Sequence, residues 1–123
     1  MIRLSRSPRL LAAIGTVLLS VALAGPVEDA QKLIKDGKYD EAIALLEKAD
    51  AKQPATAKAL AQAHLAKADS YMENKQLPPR QKYRPALAEY RKVLVYDKTN
   101  AKAQQNIKMI EDIYKQMGME VPK

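Results

Sequence analysis

Two stretches of this chain can be laid one over the other. Residues 37–54 read GKYDEAIALLEKADAKQP and residues 81–98 read QKYRPALAEYRKVLVYDK. In register, Tyr39 meets Tyr83, Ala42 meets Ala86, Ile43 meets Leu87, Leu46 meets Tyr90 and Ala49 meets Val93. At a helical period the matched positions fall on one face of each segment. The alanine stands where two helices of a hairpin would cross, since only a short side chain lets the backbones approach. A chain that holds such a unit twice is constrained to stack helical hairpins.

The rest of the chain fits that frame as five periodic segments between short breakers. Residues 26–36 open with Pro26, Glu28 and Asp29, which suit a helix N-terminus, and Gly37 stops them. Residues 39–52 carry Ala42, Leu45, Leu46 and Ala49 on one stripe, closed by Pro54. Residues 56–75 are apolar on two sides: Ala57, Ala61, Leu65, Ala68 and Met72 form one line, Leu60, His64, Ala68 and Tyr71 another. A helix apolar on two sides is packed on two sides, which makes this the central one.

The connector 76–82, QLPPRQK, reads as a loop stiffened by Pro78 and Pro79. Residues 83–97 again show a single stripe: Ala86, Leu87, Tyr90, Val93 and Leu94. Asn100 is the expected N-cap of a last helix over 101–117, whose stripe is Ala103, Ile107, Ile110, Tyr114 and Met117. Gly118 ends it, and the final MEVPK is expected to fray. No segment alternates with period two, so the expected fold is all-α with no sheet.

GKYDEAIALLEKA followed by Pro54 resembles the B helix of the tetratricopeptide repeat, with an Ala, a large residue four later and a small one three after that. The A-helix half of the pattern appears as Ala30/Leu33 and Ala68/Tyr71. The resemblance covers residues 26–117. It implies a short α-solenoid with one repeat over 26–54, a second over 56–98 and a capping helix over 101–117. Its packing positions are then Ala30, Leu33, Tyr39, Ala42, Leu46, Ala49, Pro54, Ala68, Tyr71, Tyr83, Ala86, Tyr90 and Val93. The second unit departs from the pattern, with Lys98 for the terminal Pro and Val93 for the small residue. Ala42 and Ala86 are also 44 residues apart, against a family period of about 34. The excess is expected in the 76–82 connector and the junction before residue 56.

Ahead of the repeats lies MIRLSRSPRLLAAIGTVLLSVALA, basic at Arg3, Arg6 and Arg9, then apolar, then closed by Ala22-Leu23-Ala24. This is the layout of a cleavable secretory signal peptide, with Gly25 as the new N-terminus. The rival reading keeps residues 10–27 as a membrane anchor, although Gly15, Thr16, Ser20, Gly25 and Pro26 weaken that span. Either way the remainder is placed across a membrane, periplasmic or secreted.

Chemistry is sparse. The chain has one His and no Cys, which removes disulfides, thiolate metal sites and thiol catalysis. His64 lies on an inward face, where a lone histidine reads as a packing residue. Carboxylate neighbours such as Asp40/Glu41 and Glu111/Asp112 diverge on a helix and do not converge on a substrate. Neither a phosphate-binding glycine loop nor a nucleophile elbow appears, so no enzyme, cofactor or metal is expected. Of 21 basic residues three are in the leader; the others are interspersed with 14 acidic ones. That reads as a solvated surface, not the basic stripe of a nucleic-acid binder.

The resemblance implies instead a protein or peptide partner held on the concave face lined by the A helices. The residues it points to are Gln31, Leu65, Asp69, Met72, Lys102, Gln105, Asn106 and Met109. A carboxylate clamp is not expected, because Val27, Gln31, Ala66 and Asn106 do not fit one. The alternatives are self-association, given an array of only two and a half units, and a membrane-tethered subunit. Arg80, Lys82, Tyr83 and Arg84 form a second, basic cluster.

Overall fold

Each breaker in the sequence becomes a helix end, by an identifiable backbone device. The computed structural model describes residues 25–123; Ala22, Ala24 and the rest of the leader lie outside them. The helices are α1 (Pro26–Lys35), α2 (Tyr39–Glu47), α3 (Pro54–Glu73), α4 (Pro79–Tyr96) and α5 (Ala101–Gln116). The described residues hold no strand. The fold is all-α, with α1 against α2, α3 against α4, α2 and α1 against α3, and α5 against α4.

Gly37 and Gly118 end α1 and α5 in the same way. Each adopts positive φ, 75° and 67°, which costs glycine nothing. The Gly37 amide then donates to the Ile34 carbonyl and the Lys38 amide to that of Leu33. The Gly118 amide donates to Lys115 and the Met119 amide to Tyr114. These paired bonds satisfy the last carbonyls of each helix and reverse the chain. At the other end of α5 the Asn100 side chain accepts from the Ala103 amide at 2.9 Å, the N-cap the sequence indicates.

Three boundaries differ from the sequence reading. Helix α2 stops at Glu47, so Ala49 lies beyond it, in a 48–53 turn where Asp50 Oδ1 accepts from the Lys52 amide. Pro54 opens α3 and does not close α2; the same missing N–H that bars Pro from a helix interior suits it to a first turn. Helix α4 begins at Pro79, with Pro78 as its N-cap. Residues 79–82 of the supposed connector are therefore helical, and the link between α3 and α4 is only 74–78.

The excess repeat spacing consequently resides in helix length. The first hairpin has helices of 10 and 9 residues, the second of 20 and 18. Helix α4 even contains Pro85, which offers no N–H to the Gln81 carbonyl. The helix persists because Ala86, Leu87, Tyr90 and Val93, just beyond it, are buried, and tertiary packing of an apolar face outweighs a local propensity cost.

Two apolar clusters form the core, one on each side of α3. Ala30, Ala42, Ile43 and Leu46 meet Ala59, Leu60 and Ala63. On the other side Ala61 and Ala68 meet Ala86, Leu87, Tyr90, Val93, Ala103, Ile110 and Tyr114. Ala30, Ala42, Ala68 and Ala86 are wholly inaccessible, so each crossing leaves no room for a longer side chain. Leu46, Leu60, Leu87 and Ile110 are equally buried, worth roughly 1.5–3 kcal/mol each. Leu33, Tyr39, Ala49, Tyr71 and Tyr83 are half-buried and Pro54 is exposed.

The C-terminal tail does not fray. Met119 and Val121 pack against the larger cluster, and the Arg91 guanidinium donates to the Pro122 carbonyl at 2.8 Å. Among the described residues no helix is long and apolar enough to cross a membrane.

Candidate partner-binding face

The eight residues that the sequence assigns to a binding face separate into two groups and one outlier. Gln31 is the outlier, exposed on α1. The first group spans α3 and α5 around one hydroxyl. Tyr90 Oη donates to Asp69 Oδ1 at 2.6 Å, and Lys102 Nζ donates to the other oxygen of that carboxylate. Asn106 adjoins the same hydroxyl. Burial, then the hydrogen bond to Asp69, push the Tyr90 hydroxyl above its ordinary pKa, so it stays a donor. Asp69 and Lys102 thus tie α5 to the second hairpin.

Leu65 and Met72 belong with this group by position, on α3. Both are half-buried and packed against the larger core. They are therefore partly structural.

The second group lies on α5 itself. Gln105 and Met109 line a shallow groove with Lys108, Asp112, Ile113 and Gln116, about 400 Å³ in volume. Met109 is 41% exposed, and Met117, which the sequence places on the buried stripe, is 45% exposed at the C-cap; with Ile113 they follow at intervals of four along one line of the helix. Lys108 and Asp112 form an exposed ion pair at 2.8 Å beside that line.

A polar network absent from the sequence reading crosses the middle of the molecule. His64 is 4% exposed and Glu89 5%, and His64 Nδ1 donates to Glu89 Oε2 at 2.7 Å. The other carboxylate oxygen lies 3.3 Å from both Lys67 and Lys92. Lys67 continues to Asp40 at 2.7 Å, in the first turn of α2. The imidazole stacks on the Tyr96 ring, 5.9 Å between centroids and 5° from parallel.

Burial alone would raise the Glu89 pKa. The His64 hydrogen bond and the Lys67 and Lys92 charges outweigh it and bring the carboxyl down from 4.5 to about 2. Lys67 is raised, first by its hydrogen bond to Asp40. Every buried side-chain nitrogen and oxygen among the described residues has a partner. The one histidine is therefore committed to packing: a ring nitrogen bonded, a face covered. A trace of this was legible, because Glu89 sits three residues after Ala86 and four before Val93, on the stripe that must face α3. Compared with protein-family models, curated proteins and solved structures, the chain matches none of them.

Proposed function

We propose that the chain is an exported, non-catalytic interaction module of tetratricopeptide type, whose terminal helix α5 receives a peptide or a partner's helix. The observation that carries this reading is the apolar line Met109, Ile113 and Met117 on the outer side of α5. The last helix of a repeat array faces water and is expected to be polar there. This one already buries Ala103, Ile110 and Tyr114 on its inner side, so the second line is surplus to folding. Methionine suits such a surface, since a flexible, polarizable side chain adapts to different partners. Gln105 and Gln116 at the ends of the groove offer hydrogen bonds to an incoming backbone. The commitment of His64 to the core supports the non-catalytic part, and the leader supports export.

The test replaces Met109 and Met117 by Ser, leaving Leu65 and Met72, which are packed, untouched. Melting temperature should change by less than about 3 °C, as expected of surface substitutions. A photo-crosslinking residue at Gln105 in the producing cells should capture one defined partner from the unsubstituted chain and lose it in M109S/M117S. A chain that is dimeric, and becomes monomeric in M109S/M117S, would instead identify a second copy as the occupant. A partner crosslinked equally well with and without the methionines would sink the proposal.

A further inference from the structure

The tail that Gly118 turns back encloses, with the first turns of α4, a cleft of about 490 Å³. Arg80 and Arg84 form one wall, Tyr114 the floor, and Met119 to Lys123 the other wall. Arg80, Arg84 and Arg91 share one side of α4, because four and seven residues separate them. Arg91 is spent on the tail: it holds the Pro122 carbonyl and lies 3.9 Å from Glu111. Arg80 and Arg84 form no ion pair with the described residues and are exposed at the cleft mouth. Glu120 is the one carboxylate side chain in the lining, set against Arg80, Arg84 and Lys123.

One further feature favours negative charge there. Helix α4 directs its N-terminus to this end; the Gln81 and Lys82 amides are taken by the Pro78 carbonyl, so what the helix adds is the positive end of its dipole beside the two guanidiniums. The rest of the lining is apolar: the Tyr114 ring, Met119, Val121 and Pro122.

From this arrangement we propose that the cleft binds an acidic side chain of a partner polypeptide, with an apolar neighbour of that side chain seated on Tyr114 and Val121. Two guanidiniums one helical turn apart give a carboxylate charge-assisted, planar hydrogen bonding. The apolar floor gives the neighbouring residue a place out of water. A recessed site of this volume takes one or two side chains, whereas a lipid surface would meet only the tips of the arginines. The site is separate from the α5 groove, uses none of its residues, and stands or falls independently of it.

The experiment uses the full chain, expressed with its leader and recovered as the cell leaves it. The probe is a fluorescein-labelled, end-blocked hexapeptide alternating Leu and Glu, read by anisotropy. Binding should weaken as salt rises from 50 to 300 mM and vanish when Gln replaces each Glu. R80Q/R84Q should bind at least tenfold more weakly, with its melting temperature unchanged. K32Q/K35Q, which removes the same charge from α1, should bind as the parent does. Equal loss in both double variants would reduce the effect to net charge and overturn the site. Absence of peptide binding at millimolar concentration would overturn it too. So would sedimentation with phosphatidylglycerol vesicles by a chain that ignores the peptide, an outcome that assigns the arginines to lipid.

Discussion

The two hairpins start from one sequence template and end as different objects. The first, α1 and α2, is short and the buried members of its cluster are aliphatic: Ala30, Ala42, Ile43 and Leu46 against Ala59, Leu60 and Ala63. The second, α3 and α4, is about twice as long and admits polar groups into its packing, His64 with Glu89 and Tyr90 with Asp69. Lengthening a hairpin exposes new apolar surface at its far end, and here α5 and the tail cover it through Ile110, Tyr114, Met119 and Val121. A repeat can therefore grow without a longer loop, provided the chain beyond it supplies the cover.

Breaking the buried pair should separate the hairpins most sharply. Glu89→Ala leaves His64 Nδ1 without its acceptor and Lys67 with Asp40 alone, and should cost about 3–5 kcal/mol in urea melts. The same pair makes the second hairpin acid-sensitive. The Glu89 carboxyl is held near 2 when folded and 4.5 when free. Its contribution is thus complete above pH 4.5 and is lost as pH falls from there towards 2, up to about 3 kcal/mol. Melting temperature followed from pH 7 to pH 2 should fall over that window in the parent, and that component should be missing in Glu89→Ala. An identical acid profile in both would show that the pair carries no such linkage.

Overpacking tests whether the shared template survives the difference in length. Ala42→Leu and Ala86→Leu each push a branched side chain into a crossing of zero exposure, and each should cost about 1–3 kcal/mol. Equal costs by denaturant titration would mean the two crossings are equivalent. A near-neutral Ala86→Leu would mean that the long hairpin can separate its helices where the short one cannot.

The smallest expected effect is at Gly118. A Cβ there meets nothing within 4 Å, but φ is 67°, so Gly118→Ala should cost about 1 kcal/mol through the left-handed backbone alone. Proton resonances of Val121 should shift towards random-coil values as the tail loosens. Gly37→Ala, at φ 75°, should cost a similar amount and leave Val121 in place.

Much of this architecture was legible because alanine spacing and Gly or Pro punctuation act locally. The five helices, Asn100 as a cap, both glycine stops and the two-sided character of α3 follow from residues within a turn or two of each other. Pro78 and Pro79 misled because proline marks both a loop and the first turn of a helix, and only the packing of Tyr83 and Leu87 decides between them. The tail could not be read as packed, since MEVPK carries no periodicity and its seat is made by α4 and α5. The candidate face divided for a related reason. Spacing identifies which residues share a side of a helix but not which side the fold covers: Leu65 and Met72 pack against the larger cluster, while Met109 stays exposed.

Among the described residues Tyr96 is the hydrophobic side chain that packs against both core clusters, and it does so with His64 stacked on its ring. Repeat arrays tend to lose structure unit by unit, because each unit touches only its neighbours. A single ring set into both cores works against that. Loosening the smaller cluster uncovers the ring that ends α4, and fraying α4 withdraws that ring from the smaller cluster. Amide exchange in the first turns of α3, where Pro54, Ala57 and Lys58 adjoin Tyr96, should therefore rise together with exchange in the last turns of α4.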